Sequence, residues 1–266
     1  MKVGTTFMES GASLFTHERR QQIAQILGEQ QRVTVSELSK HFSVSEVTIR
    51  KDLGWLETQK IAVRTHGGAV AAAEDSNEMG FAVREHLQQT EKDRIGAAAA
   101  STVQDGETIF IDASTTGLAM AQQLKSRRDL TVVTNGLRSG MTLVGLPGIS
   151  VLIPGGMLRE ESFSLVGTWG AAMLKQIHIS RAFLGARGFT FNEGLTDVNS
   201  EEVELKRAIV ASAREVVAII DYSKWNEVAF ATFCSLERIK TIITDVKAPV
   251  EMIEQIRARG IDVCIA

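Results

Sequence analysis

The sequence predicts an α/β protein: a small helical head followed by a larger domain built on a mainly parallel sheet. Two observations lead there. Beyond residue 90, short β-branched runs (Thr108–Ile111, Leu130–Thr134, Ser150–Ile153, Ala182–Leu184, Val216–Ile220, Thr241–Thr244) alternate with helix-length stretches such as Leu118–Leu124 and Val203–Ala213. That alternation marks repeated βα units with buried parallel strands. Ahead of it, residues 16–72 hold short amphipathic helical patterns instead. A small, polar stretch from Ala71 to Glu78 divides the two and reads as linker. The expected organisation is a disordered tail over 1–15, a head over 16–72, a linker over 73–90 and a body over 91–266.

In the head, Ile23, Ile26 and Leu27 stand at i, i+3, i+4 within the predicted helix His17–Gln31. Val33-Thr34-Val35 is a brief extended run, and Ser36 is the expected N-cap of a helix Glu37–Phe42. Ser43-Val44-Ser45 turns the chain, and Ser45 caps a second helix, Glu46–Thr58. There Ile49, Leu53 and Leu56 form one apolar stripe, leaving Glu46, Thr48, Arg50 and Lys51 on the other face. Two helices across a short turn, the second polar and basic near its start, make a helix-turn-helix over Val33 to Asp52. The runs Ile61–Arg64 and Gly68–Val70 flank His66-Gly67 as a hairpin wing, with Arg64 and His66 near its tip. Ser45, Glu46, Thr48, Arg50, Lys51, Arg64 and His66 are therefore the candidate DNA-binding residues, forked and short donors for bases and phosphates. Charge agrees in sign: residues 1–72 hold nine Lys/Arg against seven Asp/Glu, and the remainder twenty against twenty-five.

In the body, several predicted strands run into groups suited to an anion. Asp112 leads into Ser114, Thr115 and Thr116 at a helix start, where hydroxyls and unpaired N–H groups favour phosphate. Asn135 follows the second run, Gly155, Gly156 and Arg159 the third, and Arg187 the fourth. Asp197 precedes a charged helix with Glu202 and Lys206 at i, i+4, and Lys224 follows the next strand. These are the candidate effector-binding residues: glycines for close backbone approach, arginines to clamp phosphate. No dinucleotide, P-loop or nucleophile-elbow glycine motif is present. At the carboxyl end, Pro249, Ile253, Ile256 and Gly260 delimit one more helix before Ile261–Ile265.

Composition limits the classes. With 44% hydrophobic and 23% charged residues the chain is globular rather than disordered. No run approaches the roughly 20 apolar residues of a membrane span, and Met1 to Thr16 do not read as a secretory leader. Cys234 and Cys264 lack metal-like spacing and cannot staple a chain of this size. The expectation is a cytoplasmic, reduced protein with no metal, no cofactor and no membrane partner.

From Val33 to Leu56 the sequence resembles the DNA-binding head of DeoR-type bacterial transcriptional regulators. The resemblance lies in Glu37-Leu38, in Phe42-Ser43-Val44-Ser45-Glu46-Val47-Thr48-Ile49-Arg50-Lys51-Asp52-Leu53, and in the wing His66-Gly67-Gly68-Ala69. It continues through the body in Asp112–Thr116, Thr134–Gly136, Gly155–Arg159, Ser164–Gly167, Phe183–Ala186, Gly194–Asp197 and Asp221–Lys224, and spans roughly Thr16 to Ala266. It implies a winged helix-turn-helix with Ser45–Thr58 as recognition helix, and an effector domain similar in fold to ribose-5-phosphate isomerase. It further implies a repressor of a carbohydrate-utilisation operon that binds double-stranded operator DNA and is relieved by a phosphorylated sugar or related metabolite. One winged head reads too few base pairs, so a homodimer or homotetramer is expected. The linker, with Phe81 and Arg84 docked on the body, is where effector occupancy is expected to act.

The rival reading is a sugar-phosphate isomerase, which needs a carboxylate base. The isomerase strand similar to Phe183–Arg187 carries two acids where this sequence has Leu184 and Arg187. Leucine takes no proton and arginine keeps its own. Binding without turnover is the expectation.

Overall fold

The computed structural model describes residues 16–30, 32–59, 61–65, 67–71 and 80–266, in two units that divide between Ala73 and Glu74. The expected tail and His66 lie outside the described residues.

The first unit contains α1 (Thr16–Gln30), β1 (Arg32–Thr34), α2 (Val35–Phe42), α3 (Glu46–Thr58), β2 (Ala62–Thr65) and β3 (Gly68–Ala71). Ile23, Leu27, Val35, Leu38, Ile49, Leu53 and Leu56 are buried together as its core, as their helical spacing requires. Ile26 stays only partly covered. The start of α2 differs from expectation. Thr34, not Ser36, is the N-cap: its hydroxyl accepts from the Glu37 N–H, and Glu37 Oε2 accepts from the Thr34 N–H, each at 3.2 Å. This reciprocal box satisfies two backbone donors where Ser36 would satisfy one, so Val35 joins the helix. Ser45 caps α3 as expected, accepting from the Thr48 N–H at 3.2 Å. In the turn between the helices Ser43 is left-handed (φ 52°), and Ser39 Oγ donates to the Val44 carbonyl at 2.6 Å.

β2 and β3 pair as the expected hairpin, and β1 adds antiparallel to β3. Gly68 is required there, because a Cβ would lie 1.9 Å from the Val33 carbonyl oxygen. Asp52, buried on α3, accepts from Arg19 Nε at 2.7 Å and Arg20 Nε at 2.9 Å, tying α1 to α3.

The second unit opens with α4 (Phe81–His86) and α5 (Gln89–Thr102), so the end of the expected linker is helical. There follow β4 (Thr108–Ile111), α6 (Thr115–Ala121), β5 (Leu130–Thr134), α7 (Leu137–Leu143), β6 (Ile149–Leu152), β7 (Met157–Arg159), β8 (Ser164–Val166) and α8 (Thr168–Leu174). The remainder is β9 (Ile179–Leu184), β10 (Gly188–Thr190), β11 (Gly194–Asp197), α9 (Ser200–Ser212), β12 (Ala213–Ile219), β13 (Ala231–Cys234), β14 (Ile239–Thr244), α10 (Val250–Ala258) and β15 (Asp262–Ile265). Among the described residues, seven strands form one parallel sheet in the order β15-β14-β12-β9-β4-β5-β6. Each overlaps one of the predicted apolar runs. β9 and β12 begin earlier than those runs because pairing continues through Arg181 and Glu215.

Successive residues of β9 face opposite cores: Ala182 and Leu184 pack with Val203, Ile209 and Ile253, and Phe183 with Ile95 and Met120. The sheet is thus buried on both faces. The chain lays down β4, β5 and β6 outward, returns to β9 beside β4, then builds β12, β14 and β15 the other way. The strand order therefore reverses between β4 and β9, the crevice where open α/β sheets hold ligands. The hairpin β7–β8 and the antiparallel sheet β10-β11-β13 were not predicted. Their strands are three or four residues long, too short for a period of two to declare itself.

Candidate functional site

On the first unit, Ser45, Glu46, Arg50, Lys51 and Arg64 are exposed, with Thr48 partly covered. Ser45 caps α3, and α3 presents Glu46, Thr48, Arg50 and Lys51 because Ile49, Leu53 and Leu56 take its other side into the core, while Arg64 stands on β2. Several are already engaged. Arg50 Nη2 lies 2.6 Å from Glu46 Oε2, one turn away, and Arg64 Nη1 lies 3.8 Å from Glu57. The Thr48 and Ser45 hydroxyls share a hydrogen bond of 2.9 Å. Val47, passed over by the sequence reading, stands 59% exposed among them.

On the second unit, a small open pocket of about 40 Å³ lies at the β4–β9 crevice. Of the predicted effector residues, Ser114, Arg187, Asp197, Glu202 and Lys206 line it. Asp112 sits behind them, fully buried at the end of β4. It accepts from the Ser114 hydroxyl (2.5 Å) and N–H (3.2 Å) and from the Gly185 N–H (2.9 Å), and lies 3.1 Å from Lys206 Nζ. Ser114 is an N-cap as well, accepting from the Gly117 N–H at 2.9 Å. Lys206 donates to Asp197 (2.7 Å) and to the Gly185 carbonyl (2.9 Å). Glu202 accepts from Ser162 (2.8 Å), Ser164 and Arg159 (3.2 Å).

The other predicted effector residues lie outside the pocket lining. Thr115 and Thr116 are buried in the first turn of α6. Asn135 holds β8: its Nδ2 donates to the Leu165 carbonyl, and its backbone carbonyl accepts from the Leu165 N–H. Gly156, at φ 146°, has no room for a Cβ, which would meet the Val166 oxygen at 2.2 Å. Gly155 approaches α8, where its oxygen lies 2.8 Å from the place of a Gly170 Cβ. Arg159 reaches the pocket through Glu202. Lys224 is half-buried in the turn Tyr222–Lys224.

Charge in and around the pocket falls into two sets. Burial works against the Lys206 ammonium, but Asp197, Asp112 and Glu202 outweigh it and hold the group above the ordinary lysine range. Burial likewise opposes ionised Asp197, yet Lys206 and Arg187 keep its carboxyl below the usual range. Elsewhere cations repel. Burial, opposed by Asp221, takes Lys92 down to about 7, and Lys224, Arg84 and Arg187 push the same way. Lys224 is lowered too, first by burial and then, against Asp221, by Arg187 and Arg84.

Arg84, Ala113, Ser162, Gly185 and Ala186 complete the lining but were not among the predicted site residues. Gly185-Ala186 was visible as a post-strand glycine. Arg84 had no local signal as a ligand group, since a lone arginine on a polar stretch looks solvated. Among the described residues, no helix is long and apolar enough to cross a membrane.

A winged helix-turn-helix joined to an α/β body with a charged pocket at its strand crevice is the build of a DNA-binding transcriptional regulator. Residues 19–75 match the DeoR-like helix-turn-helix domain and residues 87–246 the DeoR C terminal sensor domain. The chain belongs to the DeoR family of helix-turn-helix transcriptional regulators. It is similar to the HTH-type transcriptional regulator GolR of Listeria innocua, 37% identical over 95% of this chain and 100% of that protein. The glycerol-3-phosphate regulon repressor of Escherichia coli is 32% identical over 89% of this chain and 94% of its own. These relatives are named as regulators, not enzymes. Among solved structures, ribose 5-phosphate isomerase A from Methanocaldococcus jannaschii is similar over 52% of this chain and 54% of its own, at 15% identity and a TM-score of 0.38.

Proposed function

We propose that this regulator is a repressor of a carbohydrate-utilisation operon, bound to operator DNA as a homodimer or homotetramer and relieved by a phosphorylated sugar or related metabolite. The observation that carries the reading is the pocket at the strand crevice, where Arg84, Arg187 and Lys206 converge with Ser114. Lys206 is neutralised by Asp112 and Asp197 and fixes the pocket's shape. Arg84 and Arg187 repel Lys92 and Lys224, a repulsion that an anionic ligand relieves.

On DNA, α3 enters the major groove. Arg50, Lys51 and Arg64 contact phosphates, Glu46 and Thr48 face base edges, and Ser45 offers its exposed start of the helix. Val47 fits a thymine methyl, and His66 belongs to the wing contact. Arg50 exchanges its Glu46 partner for DNA, an exposed pair costing little to break.

Fluorescence anisotropy of the full chain on DNA from its own gene neighbourhood tests this, repeated with pentose and hexose monophosphates and glycerol 3-phosphate. Tight, salt-sensitive binding weakened by one of these phosphates is expected. Specific binding that none of them alters would remove the phosphate effector. Absence of specific binding on that DNA would remove the operator assignment.

A further inference from the structure

The matched sensor domain begins at residue 87, yet Arg84, on α4, lines the pocket. One wall of the site is therefore supplied by the segment that leads from the DNA-binding unit into the sensor fold. We propose that Arg84 is a direct ligand to the anion in this pocket, and that α4 is the element through which occupancy reaches the DNA-binding unit. The proposal rests on the phosphorylated-ligand reading above and deepens it.

α4 has six residues and no side-chain cap at its start, so it has little helical stability of its own. Its order comes from docking. The Phe81 N–H donates to the Glu161 carbonyl at 2.7 Å, and the Phe81 ring meets Phe163 edge-on at 5.8 Å. The Arg138 guanidinium covers both rings, at 5.6 and 5.9 Å, and pairs with Glu85 at 3.3 Å. At the other end Lys92 Nζ donates to the Arg84 and Leu87 carbonyls, closing the last turn from the following helix.

The docking partners belong to the same machinery that shapes the pocket. Glu161 lies 3.6 Å from Arg159, which holds Glu202 at 3.2 Å, and Ser162 between them lines the pocket and donates to Glu202. An anion held by Arg84 thus acts on α4 twice: directly through the guanidinium, and through the 159–163 segment that carries its other contacts. Regulation requires a ligand to interact differently with two arrangements. A marginal helix whose docked position alone brings Arg84 to the ligand meets that requirement.

The test combines calorimetric binding of the phosphate panel, with inorganic phosphate added, and hydrogen exchange of α4 on the full chain. Wild type is expected to bind one panel member and to protect the amides of residues 81–87 when it does. Arg84→Gln should raise Kd at least tenfold and lose that protection, and Arg84→Lys should recover part of the affinity by keeping the charge. Phe81→Ala, which undocks α4, should weaken binding as well and no longer release DNA, because the docked position is what brings Arg84 to the ligand. Unchanged Kd in Arg84→Gln, or full DNA release in Phe81→Ala, overturns this proposal and leaves the phosphate reading standing. Failure of wild type to bind any phosphate overturns both.

Discussion

In the head, Arg50 and Arg64 stand about half exposed, each paired with a glutamate. In the body, Arg159, Arg187 and Lys206 are largely covered, and each lies against an aspartate or glutamate. The contrast follows from the size of the partner each surface suits. A DNA backbone presents many phosphates to a wide face, and exposed cations meet them at small desolvation cost and with strong salt dependence. A small ligand offers few atoms, so its site must be rigid beforehand, and rigid buried cations are tolerable only when paired. The head also contains one arrangement of the body's kind, Asp52 between Arg19 and Arg20. Although Asp52 lies within the helix-turn-helix span, it holds α1 to α3 and does not face outward.

Four substitutions or conditions can break or sharpen this contrast. The largest effect is expected for Lys206→Met, which takes from buried Asp112 its cationic partner and leaves buried Asp197 with Arg187 at 3.9 Å. The body transition in calorimetry should lose about 3–5 kcal/mol, and an unshifted transition would mean that paired charge is not what rigidifies the pocket. Asp52→Asn comes next, expected to cost the head about 1.5–3 kcal/mol by removing two charged hydrogen bonds; chemical denaturation followed at Trp55 reads it. If it instead weakened DNA binding with stability intact, Asp52 would join the outward-facing set.

Ser45→Ala removes the cap of α3 and should cost about 1 kcal/mol, while a loss of operator affinity beyond that would show the hydroxyl touching DNA. The last test is a pH dependence, spread over several pH units. Lys92 holds its proton to about 7 in the fold, against an ordinary value of 10.5. Between those values the unfolded chain binds a proton that the native state has released, so body stability rises with pH across that window. Melting temperatures of wild type and Lys92→Met from pH 7 to 10 check the sign: the variant's curve should be flatter there.

The parallel strands were readable because each is an apolar β-branched run between helix-length stretches, a pattern set by burial on both faces. The recognition helix was readable from Ser45 and the Ile49–Leu53–Leu56 stripe. Thr34 was missed as a cap because Val33-Thr34-Val35 looks extended, and only pairing with Glu37 settles where the helix begins. Of the predicted site, Asp112 and Asn135 follow strands as expected, but the fold uses the Asp112 carboxylate internally to fasten Ser114 and Gly185, and Asn135 Nδ2 to fasten β8.

Local pattern by itself thus determined a helical head, the parallel strands of an α/β body and an exposed basic helix, because those depend on periodicity and capping within a few residues. The resemblance of its motifs added the family. The pocket's membership depended on distance across the chain. Strand order brings residue 112 beside residue 185, α9 sends Glu202 and Lys206 into the same crevice, and α4 folds back with Arg84. Such convergence leaves no period or local motif, since it arises from how separately legible elements pack, and packing energy is summed over contacts far apart in sequence.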